Sequence, residues 1–435
     1  MTEQREPTPL PGREERGGGS SPATPPHPNP LLERGWGTHP TALDGIRVIE
    51  NAEALAGPYC AMYLGDLGAE VIKVERRETG DQTRGWAPPY IGGESAYFLG
   101  TNRNKRSITL DFTTPAGGEI MRRLIDGADV FITNIPRLSS MKKYGLDPES
   151  CLARNPRLIH CAVTGFGHSG PYAGRPGYDI LIQGMSGTMA LTGEPDDPPI
   201  RFPTALADMT GGVYALIGIL AALFVRERTG RGQAIDVGLL DAQIGWLTNI
   251  APNYFATGKR PPRLGNAHPN IMPYQPFRAR DKWFIVAVGT ERLWQRFCGV
   301  LGITDTLMND PRFATNPARL QHRQQLVTLL EPIFLQRDAD EWVRALETAE
   351  VPAGPINHVD ETLNDPHVLA RHMIVELEHP LAGLVKSLGF PVQLSATPAS
   401  YRRPPPSLGQ HTEEILRDLG YDAAQIARLR EERVV

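Results

Sequence analysis

The chain has 435 residues, 45 Lys and Arg against 49 Asp and Glu, and a formal net charge of −4. An apolar fraction of 40% with 22% charged residues excludes a wholly disordered chain, and the slight acidity argues against a basic nucleic-acid binder. At about 150 residues per domain, the length allows roughly two or three domains.

Residues 1–40 hold nine prolines, a Gly17–Gly19 run and few large apolar side chains. Such a segment buries too little surface to offset its ordering entropy, so a disordered extension is expected. From Leu43 the pattern changes. Residues 46–50 read as a strand, Gly57 and Pro58 open a short helix through Met62, Leu64 and Leu67, and residues 70–75 read as the next strand. Strand, helix, strand is a βαβ unit, which implies a parallel sheet. The alternation continues with a strand at 107–111 and a helix capped by Thr114 with Pro115 in its first turn. Further strands are expected at 129–134 and 158–164, with a short helix at 148–153 between them. The class is α/β, with helices on both faces of the sheet.

Ala207 to Arg228 reads as one long helix closed by Gly230. It is apolar nearly all round, which predicts burial on every side. A strand follows at 233–237, then a helix from Leu239 to about Tyr254, then a Gly- and Pro-rich loop over 257–268. Residues 283–288 read as a strand, and charged amphipathic helices run from Arg292 to Glu350 in what resembles a smaller α-rich domain. Residues 375–379 and 391–394 are expected to return to sheet, and residues 413–432 to be helical.

Four cysteines, Cys60, Cys151, Cys161 and Cys298, form no C-x-x-C pair. They suit a reducing cytosol, and the cytoplasm is the expected location. The N-terminus has no apolar core of the secretory type. The longest apolar run, Val213 to Val225, is shorter than the about 20 residues of a membrane span, so no membrane partner is expected.

Residues 165–170 (GFGHSG) match G-x-G-x-x-G after a strand. A dinucleotide fingerprint needs a helix to open within the motif, and here Pro171, Gly174, Pro176 and Gly177 follow instead. Nicotinamide binding is therefore disfavoured. No Walker A, zinc-protease or G-x-S-x-G pattern occurs. Arg76 and Arg77, residues 102–106 (NRNKR) and Lys142–Lys143 put positive charge near strand ends, which hints at a phosphate-bearing ligand.

Asp208 lies in residues 202–212 (FPTALADMTGG), at the start of the long helix. Read alone, it is most simply a helix cap. Two features pull toward chemistry. Gly211 and Gly212 leave backbone beside the carboxylate, and a helix N-terminus favours the anion that a nucleophile requires. Tyr178 and Asp179, in residues 175–183 (RPGYDILIQ), form a second candidate pair. Asp179 is again most simply a cap, and Tyr178 offers an aromatic body with a polar tip.

Several segments in order resemble the family III CoA-transferases. They are residues 43–48 (LDGIRV), 56–58 (AGP), 67–75 (LGAEVIKVE), 80–84 (GDQTR), 104–111 (NKRSITLD), 218–223 (GILAAL), 229–233 (TGRGQ), 265–269 (GNAHP), 351–355 (VPAGP) and 408–412 (LGQHT). The likeness runs from about Leu43 to Val435. It implies a large Rossmann-like α/β domain built from both chain ends, a smaller α+β domain between them, and two subunits interlocked as linked rings. The organisation expected is an extension at 1–40, the first part of the large domain at 41–255, the small domain at 256–350, and a return to the large domain at 351–435.

The resemblance further implies that Asp208 is the nucleophile. It implies CoA contacts at Leu55, Ala56, Arg76, Leu110, Asn134, Lys143, Tyr144, Tyr178 and Asp179. The implied substrates are an acyl-CoA and a small carboxylic acid, with no permanently bound cofactor and no metal. One departure stands out. Where the family usually has Asn-Phe-Arg-Pro-Gly, this chain has residues 134–138 as NIPRL, with Arg and Pro exchanged and Gly lost. The glycine-rich flap of the formyl-CoA enzymes is also absent around Gly265–Asn266, which disfavours oxalate and formate as substrates.

The family's racemases are expected to have a basic His where Tyr178 stands. A phenol with a pKa of about 10 is a poor base at neutral pH, which favours transfer over racemisation. A racemase or an intramolecular CoA-transferase is the rival within the family, and a non-catalytic CoA-binding protein the rival outside it. The expected chemistry runs through aspartyl anhydride and aspartyl-CoA thioester intermediates. Backbone N–H groups of Gly211, Gly212 or Gly265–Asn266 are candidates to stabilise the oxyanions.

Overall fold

A computed structural model describes residues 41–435; the expected extension at 1–40 lies outside the described residues. Six parallel strands form the main sheet: β1 (Arg47–Asn51), β2 (Glu70–Glu75), β3 (Lys105–Thr109), β4 (Val130–Thr133), β5 (Ile159–Thr164) and β6 (Gln233–Gly238). Their order is β3-β2-β1-β4-β5-β6. The chain runs outward from β1 to one edge, returns to β4, and runs out to the other edge.

The strands read as apolar runs because both faces are covered. Side chains alternate between two clusters, as a period of two requires. Val48, Val71, Val130 and Ile132 join one cluster, while Ile49, Ile72 and Phe131 join the other. The first cluster is closed by α1 (Ala56–Asp66) and α8 (Leu206–Thr229). The second is closed by α3 (Pro115–Asp126), α5 (Pro148–Arg154) and the helices Thr412–Asp418 and Ala423–Glu431. Helix α3 starts as its sequence suggests, with Thr114 Oγ1 accepting the Gly117 N–H at 3.1 Å and Pro115 in the first turn. Four shorter helices complete this part: α2 (Ala96–Thr101), α4 (Leu138–Tyr144), α6 (Asp179–Met185) and α7 (Thr188–Leu191). After β6 comes α9 (Leu239–Ile244), which passes into a 3₁₀ turn at Gly245–Asn249 instead of continuing to Tyr254.

The end of the chain covers β3. Asn104 N–H donates to Arg403 O, His411 N–H to Ser107 O and Asp111 N–H to Val434 O, at 3.0, 2.9 and 2.8 Å. Residues between Met272 and Val351 hold a third cluster around Trp294, Phe334 and Trp342. A three-stranded antiparallel sheet, Tyr274–Arg278, Trp283–Ala287 and Ala353–Pro355, backs it.

Two expectations need correction. Residues 391–394 are not a strand; the hairpin partner of Ile374–His379 is Gly383–Leu388. Pro391 has no N–H to give a ladder, and the Phe390 N–H is taken by the Tyr401 hydroxyl at 2.8 Å. Phe390 and Leu394 instead pack on the first cluster. Helix α8 is also not buried all round. It buries Ala215, Ile219 and Ala222 but exposes Ile217 and Phe224 by 54% and 60%. Its 24 residues exceed the apolar run seen in sequence, and by length and composition alone they are enough to cross a membrane. Its inner face packs on α1 and the sheet, and 44% of its apolar stretch is buried.

Candidate active site

In open α/β sheets ligands bind at the carboxyl ends of the strands, where the strand order reverses. Here that point lies between β1 and β4, and their following loops carry three of the expected CoA contacts. Leu55 and Ala56 end the β1 loop and begin α1. Asn134 ends β4's extension and reaches across, Nδ2 donating to Glu53 O at 3.0 Å. Gly57 is required in this turn, since a Cβ there would lie 2.4 Å from the Ala52 Cβ. Arg76, just past β2, is exposed and pairs with Glu53. Leu110 follows β3, but it is buried in the second cluster and its N–H donates to Glu75 O at 2.9 Å, so the structure does not present it to a ligand. Lys143 and Tyr144 end α4, with the ammonium 5.0 Å from the Tyr144 ring centre.

A cavity of about 460 Å³ opens between the loops after β4 and β5, lined by Pro136, Arg137, Leu138, His168, Gly174 and Arg175. Arg175 lies over the Tyr172 ring, 4.6 Å from its centre. His168 is fixed from two sides: its N–H donates to Asp236 Oδ2 at 2.8 Å, and Nε2 lies 3.0 Å from Ile135 O. Neither Arg137 nor Arg175 has a carboxylate partner among the described residues, and both line this hollow. The 165–170 motif forms turns, and the next helix begins only at Asp179, so it offers no helix N-terminus to a pyrophosphate.

Asp208 sits in the first turn of α8 but does not cap it. The capping position is Ala205, with no side-chain bond. The cap comes from a neighbouring helix: Asp179 Oδ1 accepts the Ala207 N–H at 2.8 Å, and Asp179 Oδ2 accepts from Gln183 Nε2 at 2.7 Å. Asp179 is buried and Tyr178 beside it is 59% exposed. The Asp208 carboxylate accepts no hydrogen bond among the described residues. Burial, and then the negative charge of Asp179, push it up to about 7. The helix N-terminus therefore does not hold it low, contrary to the sequence-based expectation, because burial and the Asp179 charge outweigh it. Burial and the charges of Asp208 and Asp179 also raise the Tyr97 phenol to about 12. Tyr97 stands edge-on to Trp86, ring centres 5.1 Å apart.

The expected oxyanion donors fare unevenly. Gly211 and Gly212 are buried within α8, their backbone committed to the helix. The Gly265 N–H is spent on Gly193 O at 3.1 Å. The Asn266 N–H donates to no described acceptor. Sequence reading missed Tyr97, Arg137, Arg175 and His168. Only Arg137 carried a local signal, as part of the rearranged 134–138 segment.

Comparison with known proteins follows the same lines. Residues 43–412 match CoA-transferase family III. The chain is 46% identical to the succinate–glutarate CoA-transferase of Agrobacterium fabrum over 383 residues, covering 87% of this chain and 95% of that one. It is 40% identical to the mouse succinyl-CoA:glutarate CoA-transferase over 390 residues, covering 89% and 88%. The crystal structure of a CAIB/BAIF family protein from Brucella suis superposes with a TM-score of 0.77 at 47% identity, covering 87% of this chain and 99% of that one.

Proposed function

Because this chain belongs to CoA-transferase family III and is a CoA-transferase acting between acyl-CoA and carboxylic acids, we propose that Asp208 is its nucleophile, succinyl-CoA its donor and glutarate its acceptor. The donor and acceptor follow the names of the similar enzymes. The observation that carries the nucleophile is the state of Asp208: in a helix first turn, without a hydrogen-bond partner and next to a second carboxylate. A carboxylate so poorly solvated is a better nucleophile than one in water.

The Asp208 carboxylate attacks the donor thioester carbonyl. A C–O bond forms, the C–S bond breaks, and the electron pair leaves with CoA thiolate, giving an acyl-aspartyl anhydride. The thiolate attacks the aspartyl carbonyl and expels the donor carboxylate, giving an aspartyl-CoA thioester. The acceptor carboxylate attacks that thioester and releases thiolate, and thiolate then attacks the acceptor side of the new anhydride to free Asp208. No proton is consumed. The CoA nucleotide lies along the β1 and β4 loops, with its phosphates toward Arg137 and Arg175; the free charge of those two residues supports this. The exposed apolar side of α8, with Val213, Ile217 and Phe224, supports a homodimer in which a second subunit covers it. Four unpaired, buried cysteines suit a cytoplasmic enzyme.

The test is Asp208→Ala assayed with succinyl-CoA and glutarate. Transfer is lost while CoA still binds by calorimetry, and wild type quenched with borohydride during turnover shows reduction at residue 208 by mass spectrometry. Retained transfer in the variant removes the assignment.

A further inference from the structure

Four charged side chains sit fully buried beneath the β1 loop. Lys73 Nζ lies 2.8 Å from Glu50 Oε1 and 2.8 Å from Asp81 Oδ2, and Lys105 Nζ lies 2.8 Å from Glu50 Oε2; all four side chains are 0% exposed. The set is neutral, two ammonium groups against two carboxylates. Each lysine has three donors, and each spends all three. The third donor of Lys73 goes to Ala52 O at 2.9 Å. Those of Lys105 left after Glu50 go to Asn102 Oδ1 at 2.8 Å and Pro58 O at 2.9 Å. Asp81 Oδ1 accepts the N–H of Ala54 at 3.2 Å, and also the N–H and hydroxyl of Thr83 at 2.9 and 2.8 Å.

Three of the four ions thus grip one short stretch of backbone, at residues 52, 54 and 58. Ala54 within it has a φ of +68°, a conformation that a side chain disfavours and that persists only where the surroundings enforce it. A buried ion set is generally no more stabilising than apolar side chains of the same volume. What it adds here is directed bonds to backbone groups, which apolar side chains cannot make.

We propose that Glu50, Lys73, Asp81 and Lys105 act together as positioning residues that hold the 52–58 backbone in its CoA-receiving form before the ligand arrives. The proposal rests on the CoA assignment of Leu55 and Ala56 made above. Holding a loop in its bound conformation improves affinity by removing the ordering entropy that binding would otherwise cost. The set touches no reacting atom, so its loss weakens CoA binding more than turnover.

The charge-neutral double variant Lys73→Met/Asp81→Ala is the main test, because the Glu50–Lys105 pair stays balanced. Thr83→Val, which keeps all four charges and removes one donor to Asp81, is the milder second variant. Calorimetry with CoA is expected to show binding weaker by about tenfold or more in the double variant, the size of a lost charged hydrogen bond. The KM for succinyl-CoA rises with it and kcat holds. Hydrogen exchange speeds up at residues 52–58 and not across the rest of the sheet. Unchanged CoA affinity in a folded variant, or exchange that rises evenly throughout, overturns the clamp. Wild type that fails to bind CoA overturns the CoA assignment instead, and the local exchange at Ala54 still decides whether the four ions hold the loop.

Discussion

Asp179 Oδ1 accepts the backbone N–H of Ala207 at 2.8 Å, so one carboxylate caps the helix whose first turn presents the next, Asp208. Gln183 holds the other Asp179 oxygen, which fixes the capping group in place. The arrangement sets a like charge near Asp208. Burial, the larger effect, and that charge both raise its pKa, to about 7. The proposed attack uses the deprotonated form of Asp208. The expected kcat/KM for succinyl-CoA therefore rises with pH and levels off above about 7. Asp179→Asn keeps an oxygen for Ala207 but removes the charge, and shifts that inflection to lower pH. An inflection that stays put in the variant separates the two carboxylates.

The same carboxyl leaves a mark on stability. Unfolded, it titrates near the ordinary value of about 4; folded, near 7. The native state therefore binds the proton more tightly, and its advantage is full at low pH and lost as pH rises through about 7. Asp208→Asn is neutral throughout. Calorimetric melting is expected to show the variant gaining on wild type between pH 5 and pH 8, with the two closer at the acid end. An equal difference at both pH values counts against a raised pKa for the partly buried Asp208.

The main sheet was legible because its strands are covered on both faces, so Val48 and Ile49, or Val71 and Ile72, appear as adjacent apolar residues whichever cluster each joins. Residues 391–394 carried a similar apolar signal, and it did not distinguish packing on a core from pairing in a ladder. The outer side of α8 looked buried because composition does not say which neighbour covers it. The simple reading of Asp208 as a cap was wrong because the cap comes from Asp179, 28 residues before the Ala207 whose N–H it accepts. Tyr97 left no local trace, since only the fold brings α2 into the field of Asp208. Of the buried ions, only Lys105 lay in a segment whose basic charge suggested a phosphate, and the fold instead buries it against Glu50.

The two unpaired guanidinium groups of the cavity lead to a third expectation. Arg137 and Arg175 line the same hollow, and phosphate oxygens are well matched to guanidinium donors. Arg175→Ala and Arg137→Ala should each raise the KM for succinyl-CoA by about five- to tenfold, equivalent to about 1 kcal/mol or slightly more for a partly solvated charge pair. The acceptor KM should not follow. The salt dependence of CoA binding should weaken in each variant, because fewer charges remain to be screened. A KM that rises for glutarate instead would place the acyl end, and not the phosphates, in this cavity.

Gly211 and Gly212 make the last expectation, because they are neighbours with opposite surroundings. In an unencumbered helix either change to Ala is favourable by about 1 kcal/mol. A Cβ on Gly211 would meet Leu239 Cδ2 at 2.2 Å, the tip of a side chain that can turn away. A Cβ on Gly212 would meet the Ala56 carbonyl oxygen at 2.6 Å and Tyr59 Cδ1 at 3.3 Å. That oxygen belongs to the first turn of α1 and cannot move unless α1 and α8 separate. Gly212→Ala should therefore destabilise by about 1–3 kcal/mol despite its better helix propensity, while Gly211→Ala stays near wild type. Ala56 also ends the loop assigned to CoA, and Gly212 lies one turn beyond Asp208. Separation of the two helices must then move the loop relative to the carboxylate. Gly212→Ala is expected to lose CoA affinity together with melting temperature, and Gly211→Ala to lose neither; equal losses in the two would mean that α1 and α8 are not held at this contact.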